Sequence, residues 1–212
     1  MLKVSNIPVV YEDEWFLVVD KPAGLLTIPT PRKETRTLTS ILNDDALIKG
    51  ISCRIYPCHR LDRETSGLII YAKGKSAQKK MMEAFGRRSI KKKYTAFAHG
   101  RLSSREGKIQ YPIEGHSAVT GYRVVEERGA YSIVEVAPQT GRTNQIRIHF
   151  KRIGHPLVGE TKFAFRRDFK LRAKRLLLHA EKIEFIHPMT GKNMRLLAPL
   201  PRDMADFLCK NP

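Results

Sequence analysis

The chain has 212 residues, and its 39 Lys and Arg against 21 Asp and Glu give a formal net charge of +18. Hydrophobic residues make up 42% of the sequence, which excludes a disordered basic tail; no apolar run approaches the ~20 residues that span a bilayer, and the N-terminus lacks the apolar segment of a signal peptide. The cysteines Cys53, Cys58 and Cys209 are too few for a disulfide framework, so we expect a cytoplasmic protein whose charge indicates nucleic acid as its partner.

The first predicted elements are a β-hairpin and a helix. Residues 7–11 and 15–20 are rich in β-branched and aromatic side chains and flank a polar corner. The segment 21–24 (KPAG) ends the second strand, because proline cannot donate to a sheet and glycine favours a turn. Residues 37–49 carry apolar side chains at helical spacing and therefore predict a helix.

The remaining elements alternate strands with a few helices. Residues 67–73 (GLIIYAK) are typical of a buried strand, and residues 76–87 place Ala77 and Met81 on one face of a helix. Further strands are predicted at 92–99, 119–126, 130–136, 176–186 and 194–197, with helices at 142–153 and 202–208. Strands joined mostly by hairpins predict an α+β fold with a mixed or antiparallel sheet. At this length we expect one domain spanning residues 1–212, with two closely packed halves as the alternative.

Two stretches of the chain concentrate basic residues. Residues 73–93 contain nine Lys or Arg and one acid, and residues 166–175 contain six Lys or Arg and one acid. A basic run is often only a solvated face, but two runs in so basic a chain favour contact with phosphates. The candidate RNA-binding residues of the second run are Arg166, Arg167, Arg172 and Arg175.

The segment 59–68 (HRLDRETSGL) is the strongest candidate for chemistry. It is polar and turn-rich, yet it leads directly into an apolar strand, and loops held by a rigid scaffold often carry sites. Asp62 lies between Arg60 and Arg63, which favour an ionised carboxylate that can act as nucleophile or base. From the residues alone, an ordinary surface ion pair remains the other interpretation.

Residues 59–73 (HRLDRETSGLIIYAK) resemble the catalytic signature of the RluA-type pseudouridine synthases, in the form H-R-L-D-x-x-T-S-G-L. Other segments resemble further motifs of that family in the same order: 20–25 (DKPAGL), 93–96 (KYTA), 140–149 (TGRTNQIRIH), 154–159 (GHPLVG), 178–180 (LHA) and 185–188 (FIHP). These segments run from residue 20 to residue 188, so the resemblance covers nearly the whole chain.

The resemblance implies that the protein isomerises uridine to pseudouridine within structured RNA, ribosomal or transfer, without a cofactor or metal. It implies the pseudouridine synthase fold, a mixed and largely antiparallel central sheet flanked by helices, with the catalytic cleft across the sheet. The family's catalytic aspartate corresponds to Asp62. A carboxylate can attack the anomeric carbon of the ribose or remove its 2′ proton, and the sequence leaves both routes open.

The resemblance also assigns roles to other side chains. Arg142 corresponds to the arginine that pairs with the aspartate, and Tyr94 to the tyrosine that lies against the uracil and can relay the carbon 5 proton. Arg60 is expected to occupy the space left by the flipped-out uridine. Lys21 either contacts RNA phosphate or shapes a turn, and Leu178 either walls the uracil site or is a core leucine.

The sequence departs from the family pattern in places. Asn144 stands where many members have His, Glu160 where many have Asp, and Phe163-Ala164 where many have Tyr-Gly, which leaves the role of the side chain at 144 open. Only 58 residues precede His59. We therefore expect no separate N-terminal RNA-binding domain, so that the catalytic domain grips RNA through its own basic residues.

Other interpretations of the chain are weaker. The histidines at 149, 155, 179 and 187 lack the spacing of a zinc site and are expected to be structural. A non-catalytic basic RNA-binding protein that retains the fold is the main alternative, and a DNA-binding protein is a third. The complete set of Asp62, Tyr94 and Arg142 favours the enzyme. A monomer is the default expectation.

Overall fold

The computed structural model describes residues 6–48, 50, 53–164 and 171–212. The chain forms two compact units. The first unit comprises Met1–Ile90 and Lys182–Ala198, and the second comprises Lys91–Glu181 and Pro199–Pro212.

The first unit contains short strands and two helices. Its elements are β1 (Val9–Glu12), β2 (Phe16–Lys21), α1 (Leu38–Ile48), β3 (Ile55–Pro57), β4 (Ser66–Lys73), α2 (Lys75–Gly86), the second half of β9 (Leu178–Ile186) and β10 (Asn193–Leu197). Antiparallel pairing joins β1 to β2, β2 to β4, β3 to β4, and β10 to β9. Phe16, Ile70 and Met81 are among the fully buried side chains of its core, so β2, β4 and α2 pack on one apolar centre.

The second unit is built on an antiparallel sheet. Its elements are β5 (Lys91–His99), β6 (Glu106–Ile109), β7 (Thr120–Arg128), β8 (Tyr131–Pro138), α3 (Gln145–Arg152), the first residues of β9, and α4 (Arg202–Lys210). The strand order is β5-β8-β7-β6. Its core includes Phe97, Tyr131 and Val158, against which Met204 and Phe207 of α4 pack.

The predicted elements agree with the observed ones at most positions. The N-terminal hairpin, the buried strand before α2, α2 itself and the strands of the second half are confirmed within a few residues. Ala77 and Met81 are buried, as the helical spacing predicts. The predicted end of the first helix at residue 49 lies outside the described residues. The sequence does not predict β3 and β6, because β3 has three residues ending in proline and β6 (EGKI) lacks an apolar run.

One predicted boundary is wrong in a way that matters for the site. The helix predicted at residues 142–153 begins at Gln145 instead, because Asn144 adopts a left-handed backbone with φ 55°. Asparagine enters this region more readily than most side chains. Arg142 therefore lies in the loop between β8 and α3, where its side chain is exposed.

Candidate active site

Asp62 lies in the loop between β3 and β4, and the residue before it is anchored by a buried threonine. The Thr27 hydroxyl donates to the Leu61 carbonyl at 3.0 Å and accepts from the Leu61 amide at 3.2 Å. Thr27 and Leu61 are both buried. The pair of bonds satisfies both backbone groups of Leu61, so the backbone entering Asp62 is fixed.

The residue after Asp62 is anchored to the turn that follows β2. The Arg63 carbonyl accepts from the Gly24 amide at 2.8 Å and from the Lys21 ammonium at 3.2 Å. Gly24 has φ +86°, a left-handed conformation that suits glycine. The Thr65 amide donates to the Asp62 carbonyl at 3.2 Å, which closes a turn. Asp62 is thus held between two anchored neighbours.

Lys21 shapes this turn. Its side chain has no exposed surface, and its ammonium also donates to the carbonyls of Pro22 at 2.9 Å and Leu25 at 2.8 Å. Of the two alternatives for Lys21, these contacts support the turn, because a buried ammonium bonded to three carbonyls is shielded from a phosphate in solvent. Thr27 has no counterpart signal in the sequence, since it lies outside the family motifs.

The other side chains of the segment have distinct surroundings. Arg60 is exposed, as its expected role in the RNA requires. The ring of His59 accepts from the Ile70 amide at 3.0 Å and lies 4.9 Å from the ring of Phe85, so it packs against β4 and α2. Thr65 Oγ1 is buried and, among the described residues, is the one such side-chain atom that lacks a hydrogen-bond partner.

Tyr94 lies on β5 in the second unit. It pairs with Val136 of β8, and its side chain is 8% exposed. Lys92 lies two positions earlier and therefore on the same face of the strand. Its nitrogen comes within 4.0 Å of the point where a Cβ at Gly141 would lie, and burial lowers the pKa of Lys92. The sequence motifs assign Lys92 no role.

The loop that carries Arg142 is held by the first residue of α3. The Arg142 amide donates to Gln145 Oε1 at 3.0 Å, and its guanidinium Nε donates to the Ser117 carbonyl at 3.2 Å. Among the described residues, its two terminal amino groups make no hydrogen bond. Within the described part of the chain, these two groups of the planar fork, which can bind a carboxylate in a pair of hydrogen bonds, are unbonded.

The departures from the family pattern form one local cluster. Glu160 and Arg147 make a buried ion pair through two bonds of 2.7 Å, and Asn144 Oδ1 accepts from Arg147 at 3.2 Å. Burial raises the pKa of Glu160, but the Arg147 guanidinium and the amides of Lys162 and Phe163 outweigh it and hold the pKa below its usual value. Asn144 and Glu160 thus fix α3 and the loop after it.

The remaining predicted residues have mixed surroundings. Leu178 is 2% exposed, which fits both a site wall and a core leucine. Arg172 is exposed, whereas the Arg175 guanidinium makes two bonds to Asp203, of 2.5 and 2.8 Å, and one to the Leu176 carbonyl. Contact between Arg175 and RNA stays a prediction. The alternative is that Arg175 has a structural role through its bonds to Asp203. Arg166 and Arg167 lie outside the described residues.

The first basic run divides into paired and exposed residues. Lys73 pairs with Glu12 at 2.7 Å and Lys93 with Glu135 at 2.9 Å. The exposed members on α2 and directly after it form what we name the α2 basic face: Lys75, Lys79, Lys80, Arg87 and Arg88. This face concentrates positive charge on the first unit.

The described part of the chain shows neither a metal cluster nor a membrane-spanning helix. Within residues 6–48, 50, 53–164 and 171–212, no group of three or more His, Cys, Asp or Glu side chains could hold a metal ion. Over the same ranges, none of the helices has both the length and the apolar character needed to cross a membrane. Three of the histidines form hydrogen bonds with other protein groups through their ring nitrogens, which agrees with structural roles: His149, His155 and His187.

Comparison with known proteins gives a consistent result. A family model described as RNA pseudouridylate synthase matches residues 15–152. The chain is 36% identical to the RNA pseudouridine synthase YlyB of Bacillus subtilis (strain 168), over 96% of the chain and 72% of that protein. It is 33% identical to the ribosomal large subunit pseudouridine synthase D of Blochmanniella floridana, over 96% of the chain and 73% of that protein.

Solved structures give the same fold. The structure of human RNA pseudouridylate synthase domain containing 4 superposes with a TM-score of 0.80, covering 96% of this chain and 92% of that one. The sequence identity is 22%, so this likeness concerns the fold. The expectation of an α+β fold with a largely antiparallel sheet is thereby confirmed.

Proposed function

The chain belongs to the RNA pseudouridylate synthase family, and we propose that Asp62 is the carboxylate with which it converts uridine to pseudouridine in RNA. The protein is an RNA pseudouridine synthase, an isomerase, and the alternative of a non-catalytic binding protein is not favoured. The observation that carries the assignment of Asp62 is the anchoring of both its neighbours, Leu61 and Arg63, by buried groups.

The reaction exchanges one glycosidic bond for another. The bond from N1 of uracil to the anomeric carbon breaks, the base rotates, and carbon 5 bonds to that carbon. Carbon 5 then loses its proton to solvent and N1 gains one, so the reaction needs no oxidant or reductant. A carboxylate held in a fixed direction serves both candidate routes, attack at the anomeric carbon or removal of the 2′ proton, because each needs an ionised and oriented oxygen.

Tyr94 and Arg142 complete the proposal. Arg142 keeps the reacting carboxylate ionised and fixes its direction, and Tyr94 supports the uracil and relays the carbon 5 proton. The support comes from the motif match, from the terminal amino groups of Arg142, which bond none of the described residues, and from the pairing of Tyr94 with Val136 within the sheet. Arg60 fills the position vacated by the flipped base.

The proposed substrate is large-subunit ribosomal RNA. Relatives named ribosomal large subunit pseudouridine synthase D or C match more than nine-tenths of this chain, for example at 33% identity over 96% in Blochmanniella floridana. The α2 basic face, together with Arg172, supplies charges for backbone contact. Transfer RNA is the competing substrate.

Two experiments test the proposal. Pseudouridine formation on bulk RNA should be lost in Asp62→Ala, and equal product from both proteins would refute the assignment of Asp62. A pseudouridine map of the source organism with and without the gene should show the loss of one or more sites in large-subunit RNA. A loss confined to transfer RNA would contradict the proposed substrate while leaving the activity intact.

A further inference from the structure

Gln145 is a buried residue whose side-chain amide makes four hydrogen bonds. Its Oε1 accepts from the Thr140 hydroxyl at 2.7 Å and from the Arg142 amide at 3.0 Å. Its Nε2 donates to the Val119 carbonyl at 3.0 Å and to the Thr120 hydroxyl at 2.9 Å. A primary amide has two donors and two acceptor sites, so its full capacity is used.

The partners of Gln145 also fix which end of its amide is oxygen. The Arg142 amide only donates and the Val119 carbonyl only accepts, so the reversed orientation would lose both bonds. The amide of Gln145 can therefore take only one orientation without losing hydrogen bonds. Such full satisfaction of a buried polar group makes the local geometry unique.

The hydrogen-bond network continues from Thr120 to the buried His149. His149 Nε2 lies 3.0 Å from the Tyr111 carbonyl, which only accepts, so this nitrogen carries a hydrogen. Burial lowers the pKa of His149, although the Tyr111 carbonyl opposes the shift, which favours the neutral ring. Its Nδ1 then accepts from the Thr120 hydroxyl at 2.9 Å. Thr120 therefore offers its lone pair to Gln145.

The consequence concerns both ends of Arg142. Its backbone amide is held by Gln145, and its guanidinium donates to the Ser117 carbonyl at 3.2 Å. Ser117 lies two residues before Val119, whose carbonyl Gln145 also holds and whose amide donates to Thr140 Oγ1 at 2.9 Å. One amide thus ties the loop that carries Arg142 to the segment that carries its side-chain acceptor.

We propose that Gln145 is the positioning residue for Arg142, and that Thr120 and His149 fix the direction of its amide. The proposal rests on the role of Arg142 in the proposed function. Gln145 does not contact the reacting atoms and acts through the arginine. Misplacement of a catalytic group by 1 Å lowers a rate by about 100-fold, so a hold of this kind bears on turnover as well as on folding.

The test compares variants of the network with a matched control. Gln145→Met keeps the length of the side chain and removes all four bonds. Thr120→Val keeps the shape of the side chain and removes one of these four, together with the bond to His149. Ser132→Ala is the control, because Ser132 is fully buried in the same unit and its hydroxyl donates to the Gly100 carbonyl at 2.8 Å. RNA labelled with tritium at carbon 5 of uridine gives kcat and KM, and melting curves show that each variant is folded.

The expected result separates positioning from folding. Gln145→Met should lower kcat by about 100-fold with KM near the wild-type value, and hydrogen exchange of the Arg142 amide should accelerate. Thr120→Val should show a smaller loss, because Gln145 keeps its bonds to Arg142 and Thr140. Ser132→Ala should lower the melting temperature while leaving kcat unchanged.

Two outcomes would overturn the proposal. A wild-type kcat in folded Gln145→Met would refute the positioning role. If that variant unfolds below the assay temperature, a wild-type kcat in Thr120→Val would refute it instead. Arg142→Lys separates this failure from that of the proposed function. If Arg142→Lys is as active as the wild type, the role of Arg142 itself fails; if it is inactive while Gln145→Met is fully active, only the positioning role fails.

Discussion

Replacing Thr27 by Val should lower both the free energy of unfolding and kcat, because the Thr27 hydroxyl bonds both the amide and the carbonyl of Leu61, the residue before Asp62. Valine has nearly the same shape as threonine, so it leaves no cavity. It does leave the two backbone groups of Leu61 buried without this partner. The backbone entering Asp62 then relaxes toward water or toward another partner.

The magnitude follows from these two bonds, of 3.0 and 3.2 Å. A buried polar group that loses its partner costs about 1–3 kcal/mol, so the free energy of unfolding should fall by about 2–6 kcal/mol in total. A displacement of the Asp62 carboxylate by about 1 Å should lower kcat by about 100-fold. Thr27→Ser keeps the hydroxyl and should retain most of the activity.

The assay measures kcat by tritium release from RNA and the free energy of unfolding by urea titration. Asn43→Leu is the matched control, because the Asn43 side chain likewise holds both the amide and the carbonyl of Ile55, each at 2.9 Å, outside the Asp62 loop. Asn43→Leu should lower the free energy of unfolding and leave kcat unchanged. Turnover by folded Thr27→Val at the wild-type rate would show that the Leu61 anchor does not position Asp62.

Three further predictions concern stability and RNA binding. Thr65→Val should leave the free energy of unfolding unchanged or raised, because Thr65 Oγ1 has no partner to lose among the described residues; a fall above about 1 kcal/mol in urea titration would contradict this. Glu160→Gln should cost about 3–5 kcal/mol at neutral pH by leaving the buried Arg147 charge unpaired. The pKa of Glu160 is lowered in the folded state, so its contribution to the free energy of unfolding is present above the unfolded pKa of about 4.3 and is lost as the pH falls through the folded pKa. Lowering the pH should therefore reduce the free energy of unfolding less in the variant than in the wild type. Changing Lys79 and Lys80 of the α2 basic face to Gln should flatten the slope of log affinity against log salt by about 0.7–0.9 for each phosphate that the variant no longer neutralises, and an unchanged slope would make this face a solvated one.

Much of the fold follows from local patterns in the sequence. Apolar alternation and helical spacing locate most strands and helices, because burial of one face imposes these periods. The boundary at Arg142 illustrates the limit. The run from residue 142 has helical spacing, yet the left-handed Asn144 delays α3 to Gln145, and a single backbone angle of this kind leaves no periodic trace.

The candidate site was predictable only where a motif marks it. Asp62, Tyr94 and Arg142 follow from the family resemblance, and their roles stay predictions. Thr27 and Gln145 owe their importance to hydrogen bonds with residues far away in the sequence. Thr27 bonds a residue 34 positions away, and Gln145 bonds one 26 positions away. Such pairings depend on tertiary structure, which neither composition nor periodicity encodes. Lys21 is the converse case, since its charge suggested phosphate and its burial supports the turn.

The role of Asp62 is tested most directly by the single-turnover rate of pseudouridine formation by Asp62→Asn on large-subunit RNA. Asparagine keeps the size of the side chain and removes the charge, so the Leu61 and Arg63 anchors should persist. We predict RNA binding comparable to the wild type, no pseudouridine and no release of the carbon 5 hydrogen. Product formation at the wild-type rate would contradict the proposal that the Asp62 carboxylate performs the isomerisation.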